Sequence, residues 1–293
     1  MKWSIRQAQD HSPSIDLGFW DKSKNECNRT MKHYFKVYKT LLKLNLSELF
    51  AYRAGFVNSI ISSSLWGGFQ IVWVTLLIAR IDSFYGWTKD ELILITVNYV
   101  FIIMGIFHLV FSRNFDRFSR IIDKAELDLI LVKPLDSQFL LSFWYFNYAS
   151  LFRLIIGVPI VIYLIIKIGI SISLINVISY LVLIVFSIIL MYSVWLSFST
   201  LMIWFPRLSN ITALLYNING ISRFPPDMIY ELKSFILFFL VPFTLLSAIP
   251  TKALVKNIFS GDTGLLIFLS VFLFYISKKF WKFALRYYTS ASS

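Results

Sequence analysis

The sequence predicts an all-α integral membrane protein with six transmembrane helices, and three observations carry this prediction. The 293 residues are 57% hydrophobic and 15% charged, whereas soluble proteins average about 25% charged residues. Six apolar runs are read as spans of a hydrocarbon core of about 30 Å, which takes about 20 helical residues to cross. The basic residues between these runs alternate between crowded and sparse connections.

The six predicted spans are residues 54–79, 91–112, 138–166, 174–205, 234–255 and 264–277. The fourth run is longer than a bilayer needs, so it requires tilt or an extension. The fifth run contains Pro242 and Pro250, which predict a helix from Ser234 to about Val241 followed by broken or re-entrant structure. Broken backbone at membrane depth needs protein or a watery cavity around it. The two prolines are therefore candidates for an outer gate, and kinks that serve packing alone are the alternative.

Lysine and arginine predict the orientation of the chain. The segment before the first span is rich in them, and the next connection has only Arg80 and Lys89. Arg113, Arg117 and Arg120 then follow the second span, and Arg207, Arg223 and Lys233 follow the fourth on the same side of the membrane. By the positive-inside rule, both termini are cytoplasmic in a multi-pass protein of the plasma membrane, the inner membrane of a bacterium. The net charge of +12 then reflects orientation and attraction to anionic membrane lipids, and no nucleic-acid partner is expected.

The residues before the first span divide into a tail and a helix. Residues 1–30 are mixed in charge and lack an apolar signal core, which predicts a flexible cytoplasmic tail without a cleavable signal. In residues 31–50, Phe35 and Leu42 belong to an apolar series at spacings of three and four, opposite Lys36 and Lys43. This pattern predicts an amphipathic helix in the headgroup plane. The helix is either an anchor alone or also a contact for a cytoplasmic partner.

A second amphipathic pattern follows the second span. Its apolar residues are Ile122, Ala125, Leu129 and Val132. They recur at spacings of three and four among charges of both signs, which predicts a short helix on the cytosolic surface. Pro134 ends this helix, because a proline disfavours helical geometry in the residue before it. Asp136 or Ser137 is then expected to cap the third span.

The sequence lacks the signatures of an enzyme. The three histidines are too scattered for H-E-x-x-H or another metal set. No G-x-S-x-G occurs, and no G-x-x-x-x-G-K-[ST] phosphate loop. Cys27 is the single cysteine, which excludes an intrachain disulfide and cysteine-rich metal sites. The chain is therefore expected to be neither an enzyme nor a cofactor-binding protein.

Few polar groups lie inside the predicted spans. Glu91, at an edge, is their only carboxylate, which argues against an ion-coupled carrier. The conspicuous polar groups are Gln70, Asn98, His108, Asn147 and Arg153. Asn98, His108 and Arg153 are the candidates for a path through the membrane. Arg153 lies about 15 residues into its predicted span and is expected to snorkel toward the outer face or to pack on aromatic rings. Contact with a substrate is the alternative for Arg153, and a satisfied interior position is the alternative for His108.

Three local patterns resemble one family. After the second span, residues 126–135 read ELDLILVKPL, which resembles the G-x-L-D-x-x-L-x-R-P signature of ABC-2 type transporter permeases. Residues 224–230, FPPDMIY, and the VP at 241–242 resemble that family's Y-P-x-x-I-Y and I-P elements. Residues 286–292, RYYTSAS, are similar to its closing Y-x-S-A-S. Six spans with both ends inside match the family as well.

The resemblance covers roughly residues 31–293 and implies a permease domain of the ABC-2 exporter type. Two such permeases, a homodimer or a paralogous heterodimer, would join two cytoplasmic ABC ATPase subunits that bind ATP and Mg. The cytosolic helix would be the coupling helix that docks on an ATPase. Its docking residues would be Arg120, Lys124, Glu126, Asp128, Lys133 and Pro134. The implied function is export of a hydrophobic or amphipathic cargo, such as a drug, an antimicrobial peptide or a lipid.

The candidates for the translocation path or its gate are Asn98, His108, Arg153, Pro242 and Pro250. Two residues depart from the family pattern. Ala125 replaces the usual glycine and would stiffen the coupling helix, and Lys133 replaces the usual arginine and loses its bidentate hydrogen bonding. An ATP-independent channel or facilitator is the alternative function, although the spans lack charged rings. A membrane-embedded transferase would need a histidine or carboxylate cluster that the sequence does not contain.

Overall fold

The computed structural model describes residues 23–80, 83–124, 126–170, 173–205, 208, 210–231, 240–255 and 261–288. The chain divides into two compact units, Met1–Lys43 and Leu44–Ser293, which are described separately. Helix α1 (Ser23–Ala51) occupies the first unit and the start of the second. It begins before the predicted start at residue 31, so residues 23–30 of the predicted tail are helical, and residues 1–22 lie outside the described part. Phe35 and Lys36 are both exposed, and the headgroup position of this helix stays a prediction.

The described part of the second unit is a set of helices with one small hairpin. Its elements are α2 (Arg53–Leu77), β1 (Ser83–Phe84), β2 (Trp87–Thr88), α3 (Lys89–Ile122), α4 (Leu127–Leu131), α5 (Ser137–Phe143), α6 (Ala149–Ile168), α7 (Leu174–Leu201), α8 (Ile211–Asn219), α9 (Asp227–Glu231), α10 (Val241–Val255) and α11 (Gly261–Arg286). Helices α2, α3, α6, α7 and α11 are long and apolar enough to cross a membrane. The all-α membrane architecture is therefore confirmed.

The hairpin marks one end of the bundle, which we call the hairpin end. Strands β1 and β2 pair antiparallel, and both turn residues, Tyr85 and Gly86, have positive φ, as a tight hairpin turn requires. Thr88 and Glu91 form a capping box that starts α3, so Glu91 has a structural role at the edge where the sequence placed it. Lys167 reaches Asp90 at 2.6 Å, which brings the end of α6 to the same place. The opposite end, which carries α4, is the elbow end.

Helix α3 is the central helix of the bundle. In an apolar stretch of 18 residues, about 72% of α3 is buried inside the protein, against 17% for the corresponding stretches of α2 and α11. It extends the predicted span 91–112 to Ile122 and contains two π-helical segments, Asn98–Ile103 and His108–Ser112. Wide turns of this kind insert an extra residue into a helix and often occur where side chains have a function. Here each π segment begins at one of the two polar residues that the sequence singled out within this span.

The third predicted span, residues 138–166, is wrong in its first part. The structure has the short helix α5, a break at residues 144–148, and then α6. Asn114 of α3 accounts for the break, because its Nδ2 donates to the Tyr145 carbonyl at 2.9 Å and its Oδ1 accepts from the Tyr145 amide at 2.8 Å. Backbone groups satisfied by a side chain need no helix to pair them. The predicted cap is confirmed at α5, where Asp136 Oδ1 accepts from the Phe139 amide at 2.9 Å.

The fifth passage along the bundle lies earlier in the chain than the sequence predicts. Tyr216 stacks on His108 with ring centroids 5.6 Å apart, and Asn219 donates to the Met104 sulfur at 3.3 Å. Farther on, Asp227 accepts from Trp87 Nε1 at 3.2 Å. These partners lie progressively closer to the hairpin end of α3. The segment 211–231 therefore runs antiparallel to α3 and reaches the hairpin end.

A return passage at this point is required by the directions of the long helices. Helix α7 runs from the hairpin end to the elbow end, whereas α11 begins at the hairpin end, where Asp262 meets Lys252 and Tyr230. The chain must therefore return between them, and the segment 211–231 makes that return. The charge pattern predicts that the polar stretch around Arg223 belongs to a cytoplasmic connection, and the structure corrects this placement.

The second part of the predicted fifth span, residues 234–255, forms α10, whereas residues 234–239 of the predicted helix from Ser234 to about Val241 lie outside the described part. This helix has 15 residues, about 22 Å, which is short of a core of about 30 Å. It is continuous through Pro250, so the predicted break between Val241 and Lys256 is absent from its described residues. Pro242 lies in the first turn, where its missing N–H costs nothing. Pro250 leaves the Leu246 carbonyl without its helical donor, and the Ser187 hydroxyl lies 2.8 Å from that oxygen.

The corrected path predicts a labelling pattern. In a Cys27→Ser background, Ser83→Cys and Tyr230→Cys should react with a membrane-impermeant thiol reagent from one side of the membrane, and Lys124→Cys from the other. The reason is that Tyr230 reaches Asp262 near the hairpin end, whereas Lys124 follows the far end of α3. All three positions are exposed. If Tyr230→Cys and Lys124→Cys reacted from the same side of the membrane, the chain path predicted from the sequence would be correct instead.

Candidate functional site

A cavity of about 570 Å³ lies at the junction of α2, α3, α6 and the segment 211–231. Ser63, Trp66 and Gln70 line it from α2, and Tyr99 and His108 line it from the two π segments of α3. The remaining polar residues of its wall include Arg153 of α6 and Arg223. The cavity combines cationic, neutral polar and aromatic groups inside a bundle of apolar helices.

Arg153 is 7% exposed and reaches across to α2. Its Nε donates to Ser63 Oγ at 3.0 Å, and Nη2 to the Ser63 carbonyl at 3.4 Å. Because α6 begins at Ala149, Arg153 lies in its second turn, nearer the elbow end than the sequence predicted. The guanidinium of Arg153 is therefore satisfied by a serine of α2, and the side chain does not snorkel to the outer face. A cationic side chain at the centre of a membrane helix costs roughly 2.5–3.5 kcal/mol on insertion scales.

Arg223 is a site residue that the sequence analysis did not single out. Its Nη1 donates to Gln70 Oε1, and its Nε donates to the Gly220 carbonyl at 2.8 Å. The arginine was read as a cytoplasmic charge because the polar stretch around it does not look like a membrane passage. The available signal was the absence of any other basic residue between Arg207 and Lys233, which a crowded cytoplasmic loop would not show.

His108 lies on the cavity wall as an interior histidine. Its Nδ1 is 2.9 Å from Ser112 Oγ, and its ring stacks on Tyr216. The described residues that line the cavity include no aspartate or glutamate. The charge of the cavity therefore comes from the guanidinium groups of Arg153 and Arg223, and the cavity favours an anion.

Asn98 lies in a separate buried cluster. Its Nδ2 donates to Thr251 Oγ1 at 3.0 Å and to the Ser247 carbonyl at 3.3 Å, and Tyr180 donates to its Oδ1 at 2.8 Å. The amide thus links α3, α7 and α10. Pro242 and Pro250 belong to α10, the helix that Asn98 contacts, and none of these three candidates is among the described residues that line the cavity with His108 and Arg153.

The elbow is formed by α4 and the residues that follow it. Leu127 and Ile130 are buried, whereas Leu129 is 68% and Val132 is 86% exposed. Leu129 and Val132 of the apolar series therefore face outward, and the side chains that pack inward are those of Leu127 and Ile130. Ala125, the other departure from the family pattern, lies outside the described residues. Exposed apolar side chains on a short helix are a common feature of protein interaction sites.

The charged residues of the elbow divide into exposed and engaged groups. Arg120, Lys124, Glu126 and Lys133 are exposed, and so is the uncharged Pro134. The Lys133 ammonium lies 4.2 Å from the Trp144 ring centroid, and the Arg117 guanidinium lies 4.5 Å from the same centroid. Lys133 therefore makes a cation–π contact that needs no guanidinium fork.

Asp128 connects the elbow to the last helix. Burial, and then the charge of Asp128 and a hydrogen bond to it, raise the pKa of the Tyr288 phenol. Tyr288 follows α11 directly. Asp128 is consequently tied to the bundle, which leaves the other named elbow residues more available to a partner.

Apolar helices long enough to cross a membrane, arranged around a cation-lined cavity, define a multi-pass membrane protein. The chain belongs to the ABC-2 family transporter proteins, because the model of that family matches residues 65–292. The match confirms the resemblance on which the sequence analysis relied. A search of the curated proteins and a search of the solved structures found no match. The family assigns the chain to the membrane subunits of transporters and not to enzymes.

Proposed function

We propose that the chain is the transmembrane permease subunit of an ATP-binding cassette exporter, driven by separate cytoplasmic ATPase subunits that dock on the elbow. The observation that carries this proposal is the exposure of Leu129 and Val132 on the elbow of a family member. Members of the family generally work with ATPase subunits. The exposed charges Lys124 and Glu126, one of each sign, would frame the apolar contact.

The long helices suit a cargo that is hydrophobic or amphipathic. The cavity has Trp66, Val100 and Met104 beside its polar groups, so it can contact both parts of an amphipathic molecule. A second permease copy or a paralogue would complete the membrane assembly. Helix α2 offers a surface for it, because large apolar side chains such as Phe69 and Trp73 are exposed there.

The orientation follows the charge distribution. With the elbow and both termini in the cytoplasm of the cell, the hairpin end faces outward across the plasma membrane. ATP and Mg would be bound by the ATPase subunits, and ATP-driven movement at the elbow would pass to α3, which leads directly to it.

Assembly with an ATPase tests the proposal. The full chain would be co-expressed with ABC ATPase subunits of the same organism, and the membrane complex purified through a tag on the chain. We expect the double variant Leu129→Asp, Val132→Asp to recover roughly a tenth or less of the ATPase, because burying two carboxylates in an apolar contact is strongly unfavourable. The matched control is Leu208→Asp with Tyr287→Asp, two exposed apolar positions outside the elbow, which should retain the ATPase.

Two results would contradict the proposal. The first is full recovery of ATPase by the elbow variant with normal expression. The second is cargo flux through the purified chain in liposomes without any ATPase, which would favour a channel or facilitator.

A further inference from the structure

The cavity holds two positive charges whose hydrogen-bond partners are neutral. Arg153 donates to Ser63, and Arg223 donates to Gln70 and Gly220. Each guanidinium has five N–H donors, so these bonds use only part of either fork. In the described part of the chain, the ion pairs found are Lys167 with Asp90 and Lys252 with Asp262, and neither involves these arginines.

The two arginines face one space at two depths. Their partners Ser63 and Gln70 lie two turns apart on α2, about 10 Å along its axis. The Tyr99 phenol lines the same cavity as both guanidinium groups. Both guanidinium groups line the same cavity, so an anion held there meets the positive charge of both, and guanidinium forks suit phosphate and carboxylate groups in particular.

The walls of the cavity also offer apolar surface, which suits a ligand that carries an apolar chain beside its anionic group. Trp66 lines the cavity and is also 58% exposed on the surface of α2. The cavity is therefore open at this residue toward the surroundings of that helix. Val100 and Met104 supply apolar surface on the opposite side. An anion alone would leave these apolar walls without a partner, whereas an amphipathic molecule uses both parts.

We propose that this cavity binds the anionic head, a phosphate or a carboxylate, of an amphipathic molecule. Arg153 and Arg223 anchor the head, and Trp66 contacts the start of the apolar chain. The inference deepens the proposed function, on which it rests for the idea that the bound molecule is cargo. The binding itself is a property of this chain alone.

Binding of dodecyl phosphate to the purified full chain in a neutral maltoside detergent tests the proposal, with isothermal titration calorimetry as the measurement. Dodecyl trimethylammonium and inorganic phosphate serve as comparison ligands. We expect dodecyl phosphate to bind, and we expect Arg153→Gln and Arg223→Gln each to weaken it by about tenfold or more, since each removes a charge-assisted contact. Arg286→Gln, an exposed arginine at the end of α11, should bind like the unaltered chain.

Arg153→Lys keeps the charge and protects the test against a folding failure. It should elute as a single species in size-exclusion chromatography and bind dodecyl phosphate more tightly than Arg153→Gln. Several outcomes would overturn the proposal. The first is that both glutamine variants bind dodecyl phosphate as tightly as the unaltered chain, and the second is that the cationic amphiphile binds as tightly as dodecyl phosphate. The others are that inorganic phosphate binds as tightly as dodecyl phosphate, or that Arg153→Lys binds no more tightly than Arg153→Gln.

The failure of this inference differs from the failure of the proposed function. If dodecyl phosphate binds as expected but no ATPase assembles on the elbow, the site stands and the exporter assignment falls. If the ATPase assembles and neither arginine affects binding, the exporter assignment stands and the anion site falls.

Discussion

Replacing Gly157 with valine should prevent α3 and α6 from packing in their present arrangement, and alanine at the same position should destabilise the folded protein by roughly 1–3 kcal/mol. A Cβ atom at Gly157 would lie 2.4 Å from Phe101 Cβ and 3.2 Å from Phe101 Cγ. Phe101 Cβ is fixed to the backbone of a π segment, so the side chain cannot swing away. The measurement is the unfolding midpoint of the purified protein in maltoside.

The matched control for this prediction is Gly68 on α2, where an added Cβ meets nothing within 4 Å. Gly68→Ala should leave the midpoint unchanged or raise it slightly, because alanine favours a helix by up to about 1 kcal/mol over glycine. Equal midpoints for Gly157→Ala and Gly68→Ala would show that the two helices do not approach as closely as described.

Replacing Asn98 with leucine should lower the free energy of unfolding by about 2 kcal/mol. The leucine keeps the volume but removes the acceptor of the Tyr180 hydroxyl and the donor to Thr251 and Ser247. Single hydrogen bonds between membrane helices are worth about 0.6 kcal/mol on average and at most about 1.7. The loss of several at one buried point, with a hydroxyl left unsatisfied, gives the larger figure.

The unfolding midpoint measured for Asn98→Leu is to be compared with that of Asn58→Leu, an exposed asparagine on α2. The exposed substitution should change little. If both leucine variants unfold at the same midpoint as the unaltered chain, Asn98 does not hold α10 against α3 and α7. It would then be free to take the role in a path that the sequence suggested.

The part of the fold that follows from hydropathy could be predicted from the sequence. Runs such as residues 174–201 are apolar almost throughout, so burial in lipid or protein fixes them as helices in either case. The elbow could be placed as well, because Pro134 and the capping Asp136 are local signals whose effect does not depend on distant residues. Its buried face could not, since residues 127 and 130 are turned inward by packing with other helices.

The fifth passage could not be predicted for the opposite reason. Its residues include Asn219, Ser222 and Arg223, which hydropathy assigns to a loop. In the fold, Asn219 meets the Met104 sulfur and Arg223 meets Gln70. These partners come from distant parts of the chain, so no local pattern shows that the polar groups are satisfied within the bundle. The cavity was missed with the passage, although three of its lining residues, Gln70, His108 and Arg153, are polar groups inside predicted spans.

The length of α3 has a consequence for any partner of the elbow. The helix has 34 residues, about 51 Å, and a hydrocarbon core takes up about 30 Å of this length. If Lys89 marks the boundary at the hairpin, then about 20 Å of the rod stands clear of the opposite boundary. A partner can bind the elbow end of α3 without displacing lipid headgroups. A sideways force applied at that end acts far from the membrane centre, so it would tilt the whole helix and move Tyr99 and His108 with it.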